Sequence, residues 1–163
     1  MIVIEPSIRA QFGRSAFTKR ELEAFLAEAA RVAGLEGSIS VLLAGDVEIR
    51  RLNKEFRGKD KATDVLSFPA GDGVGRRRVA GDLAISVETA AREAPQRGHT
   101  LDLELRVLLL HGVLHLAGMD HETDSGEMAR KEERLRKRLG LEKRGLRQGL
   151  IARAVGTPRG KGR

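Results

Sequence analysis

The sequence predicts an α+β fold: a single domain in which a mixed sheet of about four strands is packed by helices, with a central buried helix. Three observations lead there. The chain has 163 residues and a mass of 17.8 kDa, the size of one ordinary domain. Segments of period two alternate along it with segments of helical period, so strands are interleaved with helices. One stretch, about residues 101 to 117, is apolar almost all round, as a helix enclosed by other elements must be.

Each element has its own warrant. Residues 2 to 4, Ile-Val-Ile, read as a short strand. Thr18 is placed to cap a helix, with Glu21 completing a capping box and Leu22, Phe25, Leu26, Ala29 and Ala30 on one apolar face. Ile39, Val41 and Leu43 alternate along residues 38 to 43 as in a half-buried strand. Asp46 is the expected cap of a second helix carrying Ile49, Leu52, Asn53 and Phe56. A polar loop leads to Asp64-Val-Leu-Ser-Phe-Pro69, a strand whose closing proline belongs at a sheet edge or a strand end. Gly71, Gly73, Gly75 and Arg76 to Arg78 form a basic connection to a further strand, residues 82 to 87. Ser86 caps a short helix that Pro95 and Gly98 end. The apolar helix follows, with Asp102 and Glu104 in its first turn and Gly118 just past its end. The last helix takes Asp124 as N-cap and Glu127 at N3, runs to Leu139, and turns Met128, Leu135 and Leu139 to the core, with the charges among them on a solvated face.

Composition narrows the function. Cysteine is absent, which excludes disulfides, thiolate metal sites and a cysteine nucleophile, so a transition metal must sit on histidine and carboxylate. Apolar runs such as residues 107 to 110 are too short to span a membrane, and MIVIEPSIRA lacks the basic region of a secretory signal, so the expected location is cytoplasmic. Thirty Lys and Arg against 23 Asp and Glu give a net charge of +7, which points to an anionic partner such as nucleic acid. Most of it is at the end: from Gly140 onward Lys143, Arg144, Arg147, Arg153, Arg159, Lys161 and Arg163 face only Glu142. Residues 1 to 140 are therefore read as the folded domain and 141 to 163 as a basic, flexible tail.

The densest chemical signal is HGVLHLAGMDH, residues 111 to 121. His111 and His115 are i and i+4, so one helical face presents both imidazoles to a single ion. Gly118 lets the chain leave the helix and turn back, bringing His121 toward the same ion. Three histidines holding one Zn²⁺ leave the fourth position for water, the arrangement of catalytic zinc. The spacing matches HExxHxxGxxH of metzincin proteases, except that Gly112 stands where their general-base glutamate belongs. The spacing thus favours a metal and opposes peptide hydrolysis.

This segment resembles the HGxLHLxGxDH signature of the YbeY family, metal-dependent endoribonucleases of bacterial ribosomal RNA maturation. Asn53-Lys-Glu-Phe-Arg-Gly-Lys-Asp60 with Thr63-Asp-Val-Leu-Ser-Phe-Pro69 is similar to the family's second motif, and Gly81-Asp-Leu-Ala-Ile-Ser86 to a third. The likeness covers about residues 1 to 140. It departs at Phe56 and Met119, where Tyr is expected, at Ala62, where Pro is usual, and in the basic tail. The resemblance implies cleavage of single-stranded RNA in 3′-end processing of small-subunit ribosomal RNA, a part in ribosome quality control, and ribosomal proteins of the small subunit as further partners. It also implies that Arg57, which matches the family's arginine, is the catalytic cation, because a planar guanidinium suits a phosphate bidentately.

The remaining polar residues carry open readings. Asp120 orients a ligand histidine or serves the turn, and Glu104 contacts water near the site or serves the helix dipole. Asp64 and Ser67 border the cleft or shape it, and His99 is expected on the surface. With no Trp or Tyr and five Phe, base-stacking platforms are not expected, and RNA binding should be electrostatic and salt-sensitive. The competing functions are a non-enzymatic ribosome assembly factor with a structural zinc, and a divergent zinc peptidase, which Gly112 disfavours.

Overall fold

The computed structural model describes residues 1–71, 78–120 and 122–141. Its strands are β1 (Ile2–Ile4), β2 (Ser38–Ala44), β3 (Val65–Pro69) and β4 (Val79–Ser86). Its helices are α1 (Pro6–Phe12), α2 (Lys19–Ala33), α3 (Asp46–Arg57), α4 (Val87–Glu93), α5 (Leu101–Leu116) and α6 (Glu127–Arg138). The strands form one mixed sheet in the order β1-β2-β4-β3, parallel except for β3, which runs antiparallel to β4. The expected α+β domain is therefore what the chain forms.

Period two divides the sheet between two layers. Ile39, Val41, Leu43, Leu83 and Ile85 point to one side, into the main core with Leu22, Phe25 and Leu26 of α2 and most of α5. Ala44, Leu66 and Ala84 point to the other, where Ile49 and Leu52 of α3 and Phe68 close a smaller cluster. β3 lies at the sheet edge as its proline predicts, because Pro69 has no N–H to give a further strand.

α5 packs directly on β4 at Gly112. A Cβ there would lie 2.7 and 2.8 Å from the two methyl carbons of Leu83, so any larger residue would require Leu83 to move. The apolar helix is central, as expected, and from Val107 to Leu116 every residue is buried except His111 and His115.

Local departures from expectation have local causes. α1 carries no periodic signal because only Ile8 is fully enclosed, and Pro6 starts it with a preset φ. Asp46 is the first residue of α3, not its cap, which is Gly45. Its carboxylate instead ties α3 to the next crossover, accepting 2.6 Å hydrogen bonds from the Ser86 and Thr89 hydroxyls. α6 begins at Glu127 behind Gly126, yet Asp124 still serves its start by accepting from the Met128 N–H at 2.7 Å. Leu141, which the sequence reading assigns to the tail, is 3 % exposed and belongs to the core. Residues 142 to 163, the rest of the expected tail, lie outside the described residues, as do Gly73, Gly75, Arg76 and Arg77.

Candidate active site

A cleft of about 360 Å³ opens beside the edge strand, lined by Arg57, Thr63, Asp64, Val65, Ser67, His111, His115, Asp120 and Glu122. Three parts of the chain build it. The last two turns of α5 supply the histidines, β3 and the loop before it supply one wall, and Arg57 reaches in from the C-terminal end of α3. The order of elements is what permits this, because β3 is an edge strand and leaves its flank open beside α5.

The two imidazoles face each other as their i, i+4 spacing requires. His111 Nε2 and His115 Nε2 stand 3.0 Å apart, with ring centroids 4.6 Å apart and planes at 70°. Two nitrogens bound to one tetrahedral zinc at about 2.0–2.1 Å stand about 3.3 Å from one another, so a few tenths of an ångström of side-chain opening suits the pair to a shared ion. His121 lies outside the described residues, although its neighbours Asp120 and Glu122 both line the cleft. Among the described residues, no group of three or more potential metal-ligating side chains stands together.

Behind the pair is Glu132, one of the charges of the last helix expected on a solvated face but buried here. His111 Nδ1 lies 2.9 Å from Glu132 Oε2, across from α6. The other carboxylate oxygen, Oε1, accepts from Arg136 Nη2 at 2.5 Å and Nε at 3.1 Å. Burial pushes the Glu132 carboxyl up, but its bonds to His111 and Arg136 outweigh that and hold it below the usual carboxylate range. With its other oxygen taken by Arg136, the Glu132 carboxylate is placed to accept a hydrogen bond from His111 Nδ1. One signal for Glu132 was legible in advance: it shares the helical stripe of Met128, Leu135 and Leu139, where a carboxylate must have a partner.

Arg57 is exposed, and its Nη2 donates to the Ser67 carbonyl at 2.9 Å, which fixes the fork at the cleft it lines and leaves further donors for an anion. Beside it Phe56 is 62 % exposed and packs edge-on against Phe68 at 5.4 Å, the one large aromatic surface among the described residues. Asp64 and Ser67 both border the cleft, and Asp64 Oδ1 accepts from the Val65 N–H at 2.8 Å. Asp120 also lines it while serving the turn, accepting from the Glu122 N–H at 3.0 Å.

One expectation is corrected here, and one open reading is narrowed. His99 is not a surface residue, since its side chain is 17 % exposed and its Nδ1 sits 2.6 Å from Glu104 Oε2. Glu104 is fully buried, bonded to His99 and Arg97, and does not line the cleft. The buried side of α5 also explains the departure from the protease pattern. The Gly112 Cα faces Leu83 in the core, so a side chain at that position would enter the core and not the cleft.

Residues 9–140 match the family model described as endoribonuclease YbeY. A curated relative named endoribonuclease YbeY from Koribacter versatilis is 53% identical over 125 residues, 76% of this chain and 79% of that protein. One of the same name from Anaeromyxobacter sp. is 47% identical over 147 residues, 89% of this chain and 76% of the other. A protein of Thermotoga maritima solved in solution is similar over the whole of both chains, with 27% identity and a TM-score of 0.58. With its match extending from α1 to the end of α6, through the paired histidines of α5, the chain belongs to the endoribonuclease YbeY family.

Proposed function

We propose that this chain is a single-strand-specific, metal-dependent endoribonuclease of small-subunit ribosomal RNA 3′-end processing and ribosome quality control. Family membership supports RNA cleavage. The observation that carries the site is the facing pair of Nε2 atoms at the floor of a cleft that Arg57 also lines. In this reading His111, His115 and His121 hold one Zn²⁺, His121 being supplied by the segment whose neighbours Asp120 and Glu122 line the cleft.

A zinc ion bound there would supply Lewis-acid polarisation of a phosphoryl oxygen or a water made acidic enough to act near neutral pH. The chain's own residues do the rest. The Arg57 fork, anchored on Ser67, binds non-bridging phosphate oxygens and offsets the charge that develops on them as the phosphodiester is attacked. The β3 edge and Asp64 wall the cleft, where the unstacked bases and backbone of a flexible single strand can enter.

The basic segment from residue 141 to 163 acts as an electrostatic tether for RNA, with ribosomal proteins of the small subunit as further contacts. Among the described residues no helix is long and apolar enough to cross a membrane, and we place the chain in the cytoplasm. The test is zinc content of the purified protein together with cleavage of a single-stranded ribosomal RNA fragment by wild type and Arg57→Ala. Near-stoichiometric zinc, and cleavage lost at least 100-fold in the variant, are expected. Zinc without wild-type cleavage would favour an assembly factor with a structural metal.

A further inference from the structure

We infer that Glu132, on a helix that does not line the cleft, is a positioning residue for the metal site, fixing His111 in the Nδ1–H tautomer so that its Nε2 lone pair faces the ion. The inference rests on the histidine pair being a metal site, and it adds to that reading the part of the chain that sets the ligand's orientation.

The carboxylate is divided in a way that a mere surface ion pair is not. One oxygen takes the His111 Nδ1 at 2.9 Å, the other takes both Arg136 contacts at 2.5 and 3.1 Å. Arg136 lies one turn further along the same helix, so it holds the carboxylate in place without restraining the histidine. α6 is in turn fixed by Met128 and Leu135, 1 % and 7 % exposed, which seat it in the core. His111 thus has its ring plane set from behind by a rigid acceptor, while its other nitrogen meets His115 in front.

A neutral imidazole has one lone pair, and a ring free to take either tautomer would present an N–H to the ion part of the time. An acceptor at Nδ1 removes that alternative, and loss of such partners costs metal sites 10- to 100-fold in affinity.

The experiment uses the full chain with Zn²⁺, titrated against a competing chelator, for wild type, Glu132→Ala and Glu132→Gln, alongside thermal unfolding of each metal-free protein. Glu132→Ala should lower zinc affinity about 10- to 100-fold, and Glu132→Gln, which keeps an acceptor oxygen, should recover most of it. Zinc affinity of Glu132→Ala within twofold of wild type would overturn the inference, as would a Gln variant no better than Ala. Long-range proton–nitrogen NMR of the metal-free wild type decides the tautomer even if Glu132→Ala fails to fold. A His111 spectrum of the Nδ1–H form supports the inference, and one of the Nε2–H form overturns it. Failure of the wild type to bind zinc would reject the metal reading, whereas the tautomer would still report on Glu132.

Discussion

The same three residue types meet near each end of α5, and only one set belongs to the cleft. Toward its start, Glu104 binds His99 Nδ1 at 2.6 Å and the Arg97 guanidinium. Toward its end, His111 Nδ1 binds Glu132 at 2.9 Å, and Glu132 binds Arg136. In the first set the carboxylate belongs to α5 and is 0 % exposed, and it ties the helix to the 3₁₀ turn Ala94–Arg97 and the loop after it. In the second the histidine belongs to α5, with a second imidazole facing its remaining nitrogen and a cleft beyond. A carboxylate, a histidine and an arginine are therefore a staple in one place and a site in the other. What sets the second apart is the imidazole facing the remaining nitrogen of His111 and the cleft that both rings line.

The sharpest way to break that comparison is to remove the facing imidazole. His115→Ala should abolish cleavage, by 100-fold or more, and zinc binding with it, while the metal-free protein unfolds near the wild-type temperature. His99→Ala should do the reverse in kind, leaving cleavage within about twofold and lowering stability by about 1 kcal/mol. Next in size is the staple itself. Glu104→Ala leaves His99 without its acceptor and frees Arg97, which is half-exposed and rehydrates, so denaturant unfolding should show a loss of about 2–3 kcal/mol, with zinc affinity unchanged.

Gly112 tests the packing on which both sets hang. Ala there gains about 1 kcal/mol of helix propensity but drives a methyl into Leu83, an overpacking cost of about 1–3 kcal/mol. A net loss in stability is expected, and Gly112→Glu should unfold the protein without producing peptidase activity. A gain in stability for Gly112→Ala would show that α5 stands further from the sheet.

Asp46 supplies the pH counterpart away from the cleft. Burial raises its carboxyl, but hydrogen bonds from Ser86, Thr89 and Arg92 outweigh that and hold it below its ordinary value of 3.8. Its contribution to stability is therefore complete above the unfolded value and is lost as pH falls from there through the lower folded value. Asp46→Asn should flatten that acid limb and leave stability near neutral pH lower by about 1 kcal/mol. The smallest expected effect is truncation after Leu141, which keeps the buried leucine: RNA affinity should fall and its salt dependence flatten, with the fold and zinc binding unchanged. An unchanged salt slope would remove the tail from the RNA-binding surface.

Much of the fold was legible because its signals are local. Thr18, Ser86 and Gly118 punctuate where expected, with Thr18 and Ser86 accepting from the N–H of the residue three ahead, since a cap needs only its own turn. α1 was not legible, because a helix with one enclosed side chain leaves no period to read. In the site, the i, i+4 pair was readable from helical geometry alone, and Arg57 from its likeness to a family motif. The burial of Glu132 and of His99 was not legible, because each depends on a partner five or more residues away and on the angle at which two elements pack.

The sequence by itself determined a cysteine-free, basic domain of interleaved strands and helices whose most apolar helix carries two adjacent imidazoles. It also determined the absence of the protease glutamate, because residue identity needs no structure. Only the tertiary structure decided that Gly112 is a contact point with Leu83, that Arg57 crosses the β3 edge to the cleft, and that one carboxylate–histidine pair is a staple while the other stands behind the site. Local spacing fixes which side chains share a face, but the layer packed against that face decides whether it meets core, solvent or a partner.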